Sequence, residues 1–334
     1  MEAEWLRGDL LGKGAFARVY SVENLKTGKF YAGKFSGTNN MPPKGSFEPV
    51  SVKMLNEIKK SREMLQNEIE IHSKLAHPNI VQYIDSFTTK SCYEEKEIIL
   101  SKESDGTCDV LILEMCPNKS VREMLKLRKR LLPEEAVFIV KEIANALLYL
   151  KKKNLIHRDV KPENIMLCSD MSVKLADFGL AIAQGSKTNI AGTPNYIAPE
   201  MLLGEGYSYP LDMWALGCTF YTLLYRTPPF QTSSMDTTFR RIKEGIWYFR
   251  DVIIVPEPIK NIITKMLIKS PNDRISVDDF LKDPIIQKCS LKRLPFESRA
   301  LKPDEDILTK CMIPNPTEPI NRSLSLSFKK VSNY

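Results

Sequence analysis

His157-Arg158-Asp159-Val160-Lys161-Pro162 runs on through Glu163 to Asn164, and Asp177-Phe178-Gly179 follows 13 positions after that Asn. The stretch supplies an Asp to orient a hydroxyl and a Lys to steady a moving phosphate. Asn164 and Asp177 add oxygens of the kind Mg²⁺ takes, since it prefers hard ligands and shares them with phosphates. A lone Asp-Phe-Gly is weak evidence. The ordered string, spaced so that two short strands fit between its parts, points to phosphoryl transfer. His157 by itself reads as a packed core histidine, not a catalyst.

Upstream, Leu11-Gly12-Lys13-Gly14-Ala15-Phe16-Ala17-Arg18-Val19 sits between two strand-like runs. Glycine lets a backbone approach phosphate oxygens and present N–H groups to them. A plain hairpin turn is the bland alternative. A dinucleotide-binding loop is excluded, because a strand and not a helix follows. Ala32-Gly33-Lys34 falls on the next strand. An inward Lys34 needs an acid partner, as an unpaired buried charge is costly, and Glu68 on the following helix is the candidate.

The chain has 334 residues, ample for a large core, with 43% hydrophobic and 27% charged residues. From Lys288 onward there are nine Lys/Arg and five Asp/Glu, a balance of +4. Only +3 of the total +7 is left for the first 287 residues, so specific nucleic-acid binding is not expected. The seven cysteines form no C-x-x-C pair, which argues for free thiols in a reducing compartment. The acidic start, Met1 to Trp5, lacks the apolar run of a signal peptide, and no apolar stretch is long enough to span a membrane.

Strand-like runs at Trp5–Leu11, Arg18–Val22, Phe30–Phe35 and Val81–Phe87, and the continuous apolar run within Asp109–Glu114, predict strands, and Val52–Leu75 one long helix. Residues 36–50 and 88–107 read as loop inserts. After Cys116 the period becomes helical, with helices predicted at Ser120–Leu127, Pro133–Lys153, Leu211–Tyr225, Ser234–Lys243, Pro258–Leu267 and Ser276–Leu281. The expected fold class is α+β. Residues 1–116 make a β-rich lobe with one long helix, 117–287 a helical lobe, and 288–334 a basic disordered tail.

Gly192-Thr193-Pro194-Asn195-Tyr196-Ile197-Ala198-Pro199-Glu200, Asp212-Met213-Trp214-Ala215-Leu216-Gly217 and Asn272-Asp273-Arg274 complete the set. Arg274 is a structural partner for Glu200, and Asp212 can hold the backbone of the catalytic loop. Together these motifs resemble the eukaryotic protein kinase family over about residues 6–287. The resemblance implies a bilobal fold with ATP in the cleft. Glu114 and Cys116 would be the hinge contacts, Leu113 the gate, and Val19, Ala32 and Met166 the sandwich around adenine. Asp159, Lys161 and Asn164 would be catalytic, Lys34 would grip the phosphates, and Asn164 and Asp177 would hold Mg²⁺. Lys161 and Thr193 resemble serine/threonine kinases, so proteins are the implied substrates.

Ala32-Gly33-Lys34, Glu68-Ile69-Glu70-Ile71-His72, Leu113-Glu114-Met115-Cys116 and the Leu294-Pro295 segment resemble Polo-like kinases. That implies a role in cell-cycle or mitotic control in the cytoplasm or nucleus, with the spindle pole or centrosome as the address the resemblance suggests. No room is left for polo boxes, so a separate docking partner is expected in their place. Glu163 replaces the usual residue of that family, and in other kinases a Glu there helps read basic substrates. Asn189 stands at the usual phosphorylated threonine, leaving Thr188 as the nearest acceptor and Arg158 as its receiver. A catalytically silent pseudokinase scaffold would be expected to lack Lys34, Asp159 or Asp177, and all three are present. A small-molecule phosphotransferase would be expected to lack the Gly192–Glu200 segment.

Overall fold

The computed structural model describes residues 5–14, 17–36, 52–89, 98–100, 102, 108–128, 131–186, 191–250 and 254–295. Ala15, Phe16 and Thr188 lie outside the described residues, as does most of both predicted inserts. Strands β1 (Trp5–Lys13), β2 (Ala17–Asn24) and β3 (Lys29–Ser36) form an antiparallel meander. The β2–β3 turn is built by Asn24, whose side-chain oxygen accepts from the N–H groups of Lys26 and Thr27, with Gly28 at φ 65°. A residue with a Cβ would be strained there.

Helix α1 (Val52–His72) follows, then β4 (Tyr83–Thr89), β5 (Ile98–Leu100) and β6 (Cys108–Glu114). The sheet order is β4-β6-β3-β2-β1-β5. β5 corrects the sequence reading, which took 88–107 as a loop. Its three apolar residues pair with Trp5–Arg7 at the far edge, and Leu100 joins Trp5 in the small lobe's core. On α1 the buried positions are Ser61, Leu65, Glu68 and His72, a stripe at steps of four, three and four. Two of those four positions are ionisable, which is why the site forms on this face. Arg62 grips the buried Asp109 of β6 through two nitrogens at 3.0 and 3.3 Å and fixes the helix to the sheet.

The large lobe packs around α5 (Pro210–Tyr225), in which every residue from Leu211 to Tyr225 is buried. A helix buried on all sides belongs at a core's centre. Before it come α2 (Val121–Arg128), α3 (Pro133–Lys152), the short strands β7 (Leu155–Ile156), β8 (Ile165–Leu167), β9 (Val173–Leu175) and β10 (Ile182–Ala183), and α4 (Pro199–Leu203). After it come α6 (Met235–Glu244), α7 (Glu257–Met266), α8 (Val277–Lys282) and α9 (Pro284–Gln287). Buried Glu135 starts α3: it accepts from Arg128 at 2.8 and 2.9 Å and from the Leu132 N–H at 2.9 Å. A third cluster, including Leu65, Val81, Leu111, Leu113, Cys116 and Cys168, sits where the lobes meet.

The tail reading also needs correction. Residues 288–295 are packed onto the large lobe. Leu294 is fully buried, its N–H reaches the Met171 carbonyl at 3.4 Å, and Lys141 Nζ donates to the Cys289 carbonyl at 3.3 Å. The folded unit therefore runs past Gln287, anchored by Leu294 with Cys289 and Leu291 partly buried against the same core. Truncating that anchor, Leu294→Ala, should cost about 2–5 kcal/mol of stability in urea denaturation. A loss below about 0.5 kcal/mol, the range of ordinary surface substitutions, would show that the segment lies outside the cooperative unit.

Candidate active site

The loop before β8 is held from below. The buried carboxylate of Asp212, in the first turn of α5, accepts the N–H of His157 at 2.8 Å and of Arg158 at 2.9 Å. Burial pushes its pKa up, and those bonds work against the push. Arg158 lies at φ 67°, a conformation a non-glycine residue adopts only when its surroundings over-determine it. Gly192, at φ 117°, passes so close that a Cβ would meet the Arg158 carbonyl at 2.8 Å. His157 is fully buried and its Nε2 donates to the Ala176 carbonyl at 3.1 Å, the packed role its sequence context implies.

Asp159 emerges from this loop with four donors on its carboxylate. They are Lys161 Nζ at 2.7 Å, Asn164 Nδ2 at 2.9 Å, and the Thr193 hydroxyl and N–H at 2.8 and 3.2 Å. Lys161 Nζ also donates to the Thr193 hydroxyl at 2.6 Å. Thr193 was not among the residues assigned to catalysis from sequence, although the Gly-Thr-Pro string was its signal. Because the Asn164 amide nitrogen serves Asp159, its Oδ1 is turned away and has no partner among the described residues.

Lys34, on β3, meets Glu68 of α1 at 2.6 Å and Asp177 at 2.9 Å. Burial disfavours its charge, but the two carboxylates outweigh burial and hold it above the ordinary lysine range. Lys34 in turn holds Asp177 down to about 2. Glu68 moves the other way: burial raises it more than Lys34 lowers it, and Asp177 repels it. The asymmetry is physical, since one ammonium is shared by two acids. Asp177 is 47% exposed at its side chain, sits at φ 64°, and has only Oδ1 engaged, by Lys34 and the Gly179 N–H. Its Oδ2 and the Asn164 Oδ1 are thus two hard oxygens without protein partners among the described residues, a donor set that suits Mg²⁺. Phe178 packs edge-on against His157 and tilted against His72, with ring centroids at 4.9 and 4.7 Å, and its N–H donates to Glu68 at 3.3 Å. Burial lowers the His72 pKa to about 4, so that ring is neutral and donates through Nε2 to the Val81 carbonyl.

The nucleotide-side residues lie along the cleft. Leu11, Gly12 and Lys13 end β1, and Ala17, Arg18 and Val19 open β2, with the Gly14 N–H closing the turn on the Ala17 carbonyl at 2.8 Å. A Cβ at Gly12 would meet nothing within 4 Å, so that strand end faces open space. Ala32 lies on β3, paired with Leu113, and Met166 on β8. Glu114 ends β6 with its carboxylate on Lys174 and its N–H on the Gln82 carbonyl. The Cys116 N–H donates to nothing among the described residues, which leaves a donor for a ring nitrogen of a ligand. Arg158 Nε donates to the Leu180 carbonyl at 2.6 Å, and its guanidinium lies over Tyr207. Glu200 and Arg274 form a buried pair at 2.6 and 2.9 Å.

A β-rich lobe and a helical lobe with an ion-paired lysine on one side and a buttressed Asp-Lys-Asn set on the other define a phosphotransferase cleft. The Protein kinase domain family matches residues 5–286, and the chain belongs to the protein kinase family. It is 34% identical over 332 residues to the probable serine/threonine-protein kinase CCRP1 of Zea mays, covering 96% of this chain and 48% of that protein. To serine/threonine-protein kinase PLK2 of Mus musculus it is 34% identical over 282 residues, covering 83% and 36%. To the cell cycle serine/threonine-protein kinase CDC5/MSD2 of Saccharomyces cerevisiae it is 36% identical over 285 residues, again covering 83% and 36%. The chain spans about half or less of the length of these curated relatives.

Two outcomes follow from the geometry. Asp212→Ala leaves two buried N–H groups without an acceptor and should cost about 1–3 kcal/mol for each, read by chemical denaturation. A loss near zero would mean that the loop does not depend on Asp212. Lys34→Met removes the charge that depresses Asp177, so its pKa should rise from about 2 toward or past the ordinary aspartate value of about 3.9. The sign follows from linkage. With Lys34 present, the Asp177 carboxylate contributes stability above pH of about 3.9, and that stability is lost as pH falls through about 2. Carboxyl ¹³C titration of both forms would read the shift, and identical titrations would contradict the pairing.

Proposed function

We propose that this protein is an ATP- and Mg²⁺-dependent protein serine/threonine kinase with a Polo-like catalytic domain. The observation that carries the reading is the Asp159 carboxylate, held by Thr193, Lys161 and Asn164. That carboxylate accepts or orients the proton of a substrate serine or threonine hydroxyl. Lys161 lies 2.7 Å from Asp159, so its positive charge sits beside the carboxylate that receives the substrate hydroxyl and steadies the phosphoryl group as it is transferred. Lys34, kept charged by Glu68, grips phosphate oxygens. Asp177 and Asn164 are the residues to hold Mg²⁺, and the chemistry a bound Mg²⁺ supplies is neutralisation of charge on the phosphate oxygens. The chain's own contribution is position and fixed charge, with no covalent step on the protein.

The selectivity part of the proposal rests on Glu163. That carboxylate is not bare, because Arg122 Nε lies 3.4 Å from it and both side chains are half-exposed. A basic substrate residue has to compete with Arg122, so the reading favours Polo-like acidic selection over basic selection. The name of the yeast relative supports a cell-cycle role. Action in the cytoplasm or nucleus, at the spindle pole or centrosome, and dependence on a docking partner belong to the same proposal.

The test is transfer of labelled γ-phosphate from ATP onto peptides varied around a central Ser or Thr. Asp159→Asn should lower turnover by about 10²–10⁴-fold. Acidic residues two before the acceptor should be preferred. Measurable ATP binding with no transfer by the intact protein would overturn the kinase reading, and a basic preference would overturn the selectivity.

A further inference from the structure

Two cysteines that no spacing rule connects meet at the lobe junction. Cys116 follows β6, Cys168 follows β8, and their sulfurs lie 3.7 Å apart in a thiol–thiol hydrogen bond. Each is buried with 8% residual exposure, within a cluster of Leu65, Val81, Leu111 and Leu113. The Glu114 carboxylate lies within 4.8 Å of both sulfurs, so a metal site is the first thought. A tetrahedral zinc with bonds of about 2.3 Å would accept this sulfur separation. Glu114, however, is taken by Lys174 at 2.5 Å and by the Gln82 N–H at 3.0 Å, and no fourth ligand joins the group among the described residues.

We propose that Cys116 and Cys168 form an oxidation site at which a hydroperoxide joins the hinge to β8 by a disulfide. The hydrogen bond shared with Cys116 holds the Cys168 thiol below its ordinary range against burial and the Glu114 carboxylate, with a smaller contribution from the charge of Lys174, whereas the same bond and burial push Cys116 up. Cys168 is therefore the nucleophile. Its thiolate attacks a peroxide oxygen; the O–O bond breaks, an S–O bond forms, and the departing oxide takes a proton to become water or an alcohol. Cys168, now a sulfenic acid, has lost two electrons to the peroxide. The Cys116 sulfur then attacks the Cys168 sulfur, the S–O bond breaks, and hydroxide leaves with the Cys116 proton as water. Two thiols and one hydroperoxide give one disulfide, one water and one water or alcohol. Bonded sulfurs sit at about 2.05 Å, so the reaction draws Cys116 toward β8. The Cys116 N–H is the open donor of the hinge, and moving it weakens nucleotide binding.

The experiment treats the full chain with limiting hydrogen peroxide and maps thiols by alkylation and peptide mass under non-reducing conditions. The expected product joins the Cys116 and Cys168 peptides, two hydrogens lighter, with a several-fold rise in the ATP Kd that dithiothreitol reverses. Cys168→Ala should leave the unoxidised protein's ATP Kd unchanged and abolish both effects. Cys116→Ser should leave Cys168 as a sulfenic acid that dimedone traps. The half-buried Cys289 is the internal control. If Cys289 is oxidised while Cys116 and Cys168 remain fully alkylatable, the site is refuted; if the crosslink forms with no change in ATP Kd, its link to the nucleotide is refuted.

Discussion

One buried carboxylate sets the geometry of the cleft. Helix α5 is apolar on all sides and lies at the centre of the large lobe, so its single acid, Asp212, is carried deep into the core. A buried charge is costly unless donors meet it, and the donors here are the consecutive N–H groups of His157 and Arg158. That pairing holds Arg158 in a left-handed conformation and presents Asp159 to Lys161, Asn164 and Thr193. A helix buried on all sides thus sets the direction of the Asp159 carboxylate. Gly192 answers the same constraint from the other side, because only a residue without a Cβ passes the Arg158 carbonyl.

The cleft's charge balance extends this logic across the lobes. Lys34 comes from the sheet, Glu68 from α1 and Asp177 from the large lobe, and the three meet around one ammonium. One cation facing two carboxylates leaves one unbalanced negative charge, while Asp159 and Lys161 cancel locally. A site with a surplus carboxylate and two hard oxygens turned away from the protein suits a cation bound together with phosphates, not an anion alone. Phe178 ties this balance to packing: it sits between two buried imidazoles, and its N–H is held by Glu68, the same acid that holds Lys34.

What could be read from sequence was local chemistry in chain order. Asp159, Lys161, Asn164 and Asp177 fall within 19 consecutive residues, and the spacing left room for β8 and β9. Lys34 and Glu68 were legible because a buried lysine demands an acid. The rest depends on contacts that carry no local signature. β5 is three apolar residues inside a charged stretch, and its partner β1 lies about a hundred residues earlier in the chain, so no window of periodicity detects it. Leu294 is the one fully buried residue of a short basic segment, and its burial depends on the large-lobe core and the Met171 carbonyl that receive it. Thr193 was visible as a residue type, but its bonds to both Asp159 and Lys161 required the chain to return to the catalytic loop. Cys116 and Cys168 lie 52 positions apart, and only the closing of the lobes brings their sulfurs together.

The start of the segment after Phe178 shows how the two lobes share control. Arg158 reaches the Leu180 carbonyl from the large lobe, and Asn67 of α1 reaches the Ala181 carbonyl at 3.3 Å from the small one. Both acceptors are backbone oxygens, so neither bond requires a phosphate. Asn67 precedes Glu68, so the helix position that places Glu68 on Lys34 also places Asn67 on Ala181. Rotating α1 outward would break the ion pair and the Asn67 bond together, leaving Arg158 to hold the segment at Leu180. In this chain the helix therefore reaches the segment through the neutral Asn67 amide and the Glu68 carboxylate, and the large lobe reaches it through the charged Arg158.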